Sequence, residues 1–163
     1  MMIQATEKDI DRLYGIIEEC SEWLQSKGVQ QWNPVYPKKL FFKDVERGAV
    51  FYFTERDEMI GTATLFEEKP FYYPEDVWND KVNVWYLCRF AVPRQLKAKK
   101  VGEKIIEEIE DEAKQRGIEW IRMDVVKANP FLENYYSKLG YERVSEVMLK
   151  DTPSILLQKR IEK

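Results

Sequence analysis

Histidine is absent from all 163 residues, and cysteine occurs only twice, at Cys20 and Cys88. The two thiols stand 68 positions apart with no C-x-x-C pair. No ordinary zinc-ligand set and no cysteine–histidine nucleophile pair can be assembled from them. Both read as free, buried thiols. Long apolar runs are also missing: none approaches the roughly 18 residues that a membrane span needs, and the opening MMIQATEKDID lacks the basic and apolar blocks of an export signal. A cytoplasmic chain with no membrane partner is expected. Basic excess is missing too, because 26 Lys and Arg face 29 Asp and Glu for a net charge of −3. A general nucleic-acid binder is basic overall, so no nucleic-acid partner is expected and any basic patch must be local. Walker A and G-x-G-x-x-G sequences, internal repeats and low-complexity tracts are absent. What remains is 44% apolar and 13% aromatic, enough in this length for one domain, residues 1–163, with a real core.

The order of elements follows from periodicity. Thr6 and Asp9 form a capping-box pattern ahead of Ile10, Leu13, Ile17, Cys20 and Leu24, which recur at spacings of three and four; Gly28 supplies the stop. A shorter helix is expected in KKLFFKDVERG, then two strands in AVFYFTERDEMIGTATLFEE joined at Arg56 and Asp57 as a hairpin. A loop rich in proline and aromatics precedes the strand VNVWYLCRFAV. A helix from near Lys99 carries Val101, Ile105, Ile106, Ile109 and Ala113 on one face and ends at Gly117. The strand EWIRMDVV, a helix across NPFLENYYSKLG and the strands YERVSEVML and SILLQKRIE complete the chain. Strand, helix, strand and helix in succession imply a crossover with a parallel pair.

Four lysines, Lys97, Lys99, Lys100 and Lys104, crowd the start of the helix after Val92 and Pro93. Cations there oppose the helix dipole, whereas free N–H groups of a first turn are phosphate donors, so the placement asks for an anion such as a pyrophosphate. The competing reading is a solvated charge run without a ligand. The cluster follows a strand of an α/β sheet, where such folds put ligands.

AVPRQLKAKKVGEKII resembles the pyrophosphate loop of GNAT-type N-acetyltransferases, with Lys97 in the Arg/Gln place, Lys100 in the first glycine place and Gly102 in the second. MDVVKANPFLENYYSKLGYERV resembles the family's later motif, matching Asn129 to its cofactor-contacting asparagine and Tyr136 to the tyrosine near the thioester sulfur. QQW and YP followed by RFAV resemble bacterial branches of the same family. The resemblance implies a GNAT-like α/β (α+β) fold: a mixed, mostly antiparallel sheet with a central splayed parallel pair, flanked by helices. It implies acetyl-CoA as cofactor and transfer of acetyl to a primary amine of a small molecule or peptide. The implied cofactor surface is Phe90, Ala91 and Val92 of a bulged strand, the turn residues Lys97, Ala98, Lys99, Lys100, Val101, Gly102 and Glu103, and then Asn129 and Tyr136.

Tyr136 is the implied acid, since a phenol near pKa 10 lies close to a thiol near 8.5. A core tyrosine on an apolar stripe is the plainer alternative, and Tyr135, about 100° away around the helix, is its control. Without histidine the base falls to carboxylates, acting directly or through water. Glu67 and Glu68, at the end of a strand before the aromatic loop, are the candidates, with a pair of surface charges as the alternative. Asp124 could also serve, but a carboxylate in a strand beside Arg122 or Arg89 is more often a structural ion pair. Trp32, Tyr73 and Trp85, among other aromatics, are available to shape the acceptor cleft. Lysine in a glycine place also suits a non-catalytic acyl-CoA-binding or regulatory module on the same fold. Both monomer and homodimer are compatible with the chain.

Overall fold

The computed structural model describes residues 1–163 apart from residues 30 and 33 and the side chains of residues 97–99. Four helices, α1 (Ile10–Ser26), α2 (Lys38–Glu46), α3 (Val101–Gln115) and α4 (Pro130–Lys138), accompany seven strands. The strands are β1 (Met2–Gln4), β2 (Val50–Glu55), β3 (Glu58–Phe66), β4 (Val84–Ala91), β5 (Trp120–Val126), β6 (Glu142–Leu149) and β7 (Thr152–Arg160). Their order in the sheet is β1-β2-β3-β4-β5-β7-β6. The β1–β2, β2–β3, β5–β7 and β6–β7 pairs are antiparallel, and β4–β5 is parallel across α3. Two compact units divide the chain, residues 1–65 with 89–109 and residues 66–88 with 110–163.

In the first unit the Thr6 N–H donates to Asp9 Oδ2 at 2.8 Å, the capping box the sequence implies, and α1 follows. Gly28, at φ 74°, ends α1 with its N–H on Gln25 O at 3.0 Å and that of Val29 on Leu24 O at 2.9 Å, a Schellman closure. Leu13, Ile17, Phe41 and Val50 are among the residues that build this unit's core; burying side chains of this size contributes about 1.5–3 kcal/mol each. Arg56 and Asp57, at φ 52° and 64°, make the two-residue turn between β2 and β3. Residues 59–65 of β3 are buried on both faces, and the Thr62 hydroxyl is satisfied by Phe51 O at 2.8 Å. Gly61 is needed for close approach. A Cβ there would lie 2.5 Å from Ile105 Cδ1 and 2.9 Å from Ala91 O, so glycine lets α3 seat on the strand that leads to the candidate site. Strand β1 has no counterpart in the sequence reading, because three residues are too few to show a period.

The second unit packs Tyr73, Val84, Tyr86, Leu149 and Leu156 together. Lys150 and Asp151, at φ 48° and 66°, close the β6–β7 hairpin with the same kind of turn as Arg56 and Asp57. β6 stands last in the strand order and is largely exposed, as an edge strand is.

Candidate active site

The β4–β5 ladder comprises three pairs, Val84↔Trp120, Trp85↔Ile121 and Tyr86↔Arg122, although β5 runs on to Val126. Beyond Tyr86 and Arg122 the two strands no longer pair, which is the splay expected of the parallel pair. β5 stays anchored on its other side by β7, as far as Val126↔Ser154.

In the first unit, Arg89 takes φ 46° inside β4, a conformation that costs a non-glycine residue about 1–2 kcal/mol. Its guanidinium lies 3.0 Å from Asp44 Oδ2, with the two side chains 8% and 6% exposed, and 3.7 Å from the centre of the Tyr36 ring. Burial pushes the Asp44 carboxyl above the usual range, while Arg89 and then the Tyr36 hydrogen bond pull it back. The Cys20 thiol donates to Val92 O at 3.3 Å and the Arg94 N–H to Glu19 at 2.9 Å, tying α1 to the chain just after β4. Burial raises the Cys20 thiol, consistent with a structural role.

A 3-10 turn, Arg94–Lys99, then intervenes, and α3 begins at Val101 rather than near Lys99. Lys100 is exposed and left-handed at φ 54°, the conformation that explains why glycine suits this place. Phe90 and Val92 are half-buried and Ala91 is buried, while Val101, Gly102 and Glu103 form the first turn of α3. The side chains of Lys97, Ala98 and Lys99 lie outside the described residues. Lys104 is matched by Glu55, at 3.1 and 3.2 Å, so this lysine has a carboxylate partner of its own. Trp32 is half-buried at φ 59°, and its carbonyl accepts the Ser21 hydroxyl at 2.6 Å.

In the second unit, Asp124 lies two residues past the last β4–β5 pair and is half-buried. Tyr73 donates its hydroxyl to Asp124 Oδ1 at 2.6 Å. The expected pairing of Asp124 with Arg122 is not formed: Arg122 grips Asp80 through two bonds, at 2.8 and 2.6 Å, and sends Nε to Gln158 at 3.3 Å. Arg89 reaches Asp44. These partners are 51, 42 and 45 positions apart in the chain, and no local spacing signals them.

Tyr136 is 7% exposed on α4, which packs on β5. Its phenol is raised above the ordinary tyrosine value by burial first, then by Tyr135 and by the charge of Asp124. Tyr135 is half-buried and stacks on Phe131, so the two tyrosines face different surroundings as their spacing implies. Asn129 is the half-buried residue ahead of Pro130 at the α4 N-terminus, its N–H on Val126 O at 3.0 Å. Glu67 and Glu68 are exposed just past β3. Tyr73 and Trp85 are 4% and 3% exposed and so are packing residues first.

A mixed sheet whose one parallel pair opens beside a carboxylate and a buried phenol, followed by a turn into a helix N-terminus, defines an acyltransferase-like α/β fold. The chain belongs to the acetyltransferase (GNAT) family, whose model matches residues 16–141. It is 25% identical over 143 residues to YesJ of Bacillus subtilis, described as an uncharacterized N-acetyltransferase, covering 85% of this chain and 79% of the relative. A GNAT acetyltransferase of Streptococcus agalactiae has the same fold at TM-score 0.85 and 19% identity, over 100% and 96% of the two chains. The PaiA N-acetyltransferase of Thermoplasma acidophilum, solved in complex with coenzyme A, matches at TM-score 0.70 and 17% identity over 98% of each chain. Among the described residues no helix is long and apolar enough to cross a membrane, and no acidic or thiol cluster suits a metal ion.

Proposed function

We propose that this chain transfers an acetyl group from acetyl-CoA to a primary amine of a small molecule or peptide, by direct attack and without a covalent enzyme intermediate. The observation that carries the reading is the neighbourhood of Asp124 and Tyr136. The charge of the Asp124 carboxylate, suited to receive a proton, is felt by the Tyr136 phenol, suited to donate a hydrogen bond, and Asp124 lies where β5 has left β4. The family match and the coenzyme A complex of the Thermoplasma relative support the donor.

The residues fit such a donor. The left-handed Lys100 turns the chain into α3, whose first-turn N–H groups have no partner within the helix and suit a phosphate. Lys97 and the N–H groups of residues 98–102 would hold the phosphates, with Lys99, Lys100 and Glu103 around them. Phe90, Ala91 and Val92 would offer backbone groups, and Asn129 its amide. Acetyl-CoA, when bound, supplies the activated acyl group and a thiol that departs.

Asp124 takes the proton of the acceptor ammonium on its carboxylate and passes it to solvent, leaving a neutral amine. Tyr136 keeps its proton through the neutral range, because its pKa is raised, and so acts as a fixed O–H donor towards developing negative charge. Glu67 and Glu68, exposed at the strand end, are the alternative proton acceptors, working through water. Trp32 would offer aromatic surface to the acceptor, while Tyr73 and Trp85 are buried packing residues. The one domain acts in the cytoplasm, where acetyl-CoA is present.

Isothermal titration with acetyl-CoA, followed by thiol release in the presence of primary amines, tests this. Micromolar binding, weakened in Lys97→Ala and kept or tightened in Lys100→Gly, with turnover reduced in Tyr136→Phe, is expected. Absence of binding by the wild type overturns it. The alternative, a non-catalytic acyl-CoA-binding module, draws on the lysine in the glycine place. Its support weakens because Lys100 adopts the left-handed backbone that a glycine would. Binding without turnover would favour it.

A further inference from the structure

Residues 67–83 form a loop whose shape is set from within. Lys69 Nζ, a single ammonium, donates to Pro74 O at 3.1 Å, Val77 O at 2.7 Å, Asn79 Oδ1 at 3.1 Å and, more weakly, Glu75 O at 3.4 Å. Asp80 then clamps the end of the loop to Arg122 of β5 through two short bonds. Between these fixings sits Tyr73, its ring against Tyr72, Trp78 and Tyr86 at centroid distances of 5.2, 5.8 and 6.1 Å. Packing alone would be met by phenylalanine. The hydroxyl is spent on Asp124 Oδ1, at 2.6 Å.

We propose that Tyr73 is a positioning residue that acts through Asp124: carried by a loop pinned at Lys69 and Asp80, its hydroxyl holds the carboxylate in the orientation that meets the acceptor amine. This inference rests on the transfer reading above. Arg122 and Asp124 are two apart on β5, so their side chains share a face. The Asp80–Arg122 clamp therefore fixes the loop beside the carboxylate that Tyr73 serves. The groups facing Asp124 and its hydrogen bond are Tyr73 and Tyr72 from the loop, Cys88 from β4, Tyr136 from α4 and the apolar Leu156, its register partner in β7. Burial and the charge of Asp124 hold the Tyr73 phenol well above its usual value, so it stays a donor wherever the enzyme works. A donated hydrogen bond favours the ionised carboxylate, so losing it makes Asp124 harder to ionise. The acceptor proton moves to the Asp124 carboxylate and leaves to water.

The test follows thiol release from acetyl-CoA from pH 5 to 9 with spermidine, tryptamine and alanylglycylglycine as amines, in wild type, Tyr73→Phe, Asp124→Asn and the double variant. Tyr73→Phe is expected to lower kcat/KM about tenfold, the scale of one hydrogen bond to a charged group. It is also expected to move the acid limb of the profile to higher pH. The Asp124 titration, followed by carbon NMR on labelled aspartate, moves the same way. In the Asp124→Asn background the same change is expected to cost nothing further, whereas a purely structural role would lower both backgrounds equally. An active wild type with an unshifted profile and an unshifted Asp124 titration in Tyr73→Phe overturns the inference alone. A wild type that releases no thiol with any amine overturns the transfer reading and takes the inference with it.

Discussion

Two aspartates, one in each unit, have different partners. Asp44, on α2 in the first unit, faces the guanidinium of Arg89 at 3.0 Å, and both side chains are nearly lost to solvent. Asp124, on β5 in the second unit, receives the hydroxyl of Tyr73 at 2.6 Å. A guanidinium brings a permanent charge, and a buried pair of this kind ties α2 and the Tyr36 segment to a strained residue of β4. A phenol brings a hydrogen bond but no charge, so it orients a carboxylate without neutralising it. The first arrangement serves the scaffold; the second serves chemistry in the proposed reaction.

The most severe break of this comparison is to exchange the expected phenotypes. Asp124→Asn should lower kcat/KM by about 10²–10⁴, the range for losing a positioned base, with the thermal midpoint nearly unchanged. Steady-state kinetics and a melting curve on one preparation decide it. Asp44→Ala should do the reverse. It leaves Arg89 buried without this carboxylate and should cost about 3–5 kcal/mol in denaturant unfolding. If Asp44→Ala instead abolished turnover in a protein that still melted normally, the two roles would have been assigned the wrong way round.

Alkali sharpens the same contrast. Tyr73, Tyr136 and Tyr141, all in the second unit, have pKa values raised above the ordinary tyrosine value by burial, with carboxylates adding to the effect. Each therefore contributes stability that is complete below about pH 10 and is lost as pH rises from there towards its folded value, because the unfolded chain ionises first. Each phenol that stays protonated only in the fold adds a slope of about 1.4 kcal/mol per pH unit in that window. Stability measured from pH 8 to 11 should fall steeply above 10, and Tyr136→Phe should make the fall shallower.

The same division governs what could be read from residue order. Thr6 with Asp9, Gly28 and the Arg56–Asp57 turn are local signals, and the structure bears them out. The β4–α3–β5 crossover follows from period and length, and it carries the parallel pair. β1 was illegible because its three residues are strand only through pairing with β2. The start of α3 was misread because the periodic face does not reveal a left-handed residue ahead of it. Tyr136, Asn129 and Lys100 were legible through motif order, although their roles rest on the proposed reaction. The partners of Asp124, Arg122 and Arg89 were not, because each lies more than 40 positions away and is chosen by the fold. Glu67 and Glu68 stand just before the aromatic loop, and that loop brings Tyr73 to Asp124, a pairing no spacing announces.

The smallest effect expected lies in the first unit, at Lys100, and it separates backbone from side chain. Its φ of 54° is a conformation that lysine enters at a cost and glycine does not. Lys100→Gly should therefore gain about 1 kcal/mol from the relieved backbone, offset in part by the greater freedom of glycine in the unfolded chain. The net gain in a denaturant titration should be a few tenths of a kcal/mol up to about 1 kcal/mol. If the turn grips phosphate chiefly by its N–H groups, acetyl-CoA affinity should persist in this variant at ordinary salt. If the lysine charge does the holding, affinity should fall and the loss should shrink at high salt, where charge contributes less. Either result leaves the Asp124 carboxylate itself unchanged, so kcat at saturating acetyl-CoA should match that of the wild type.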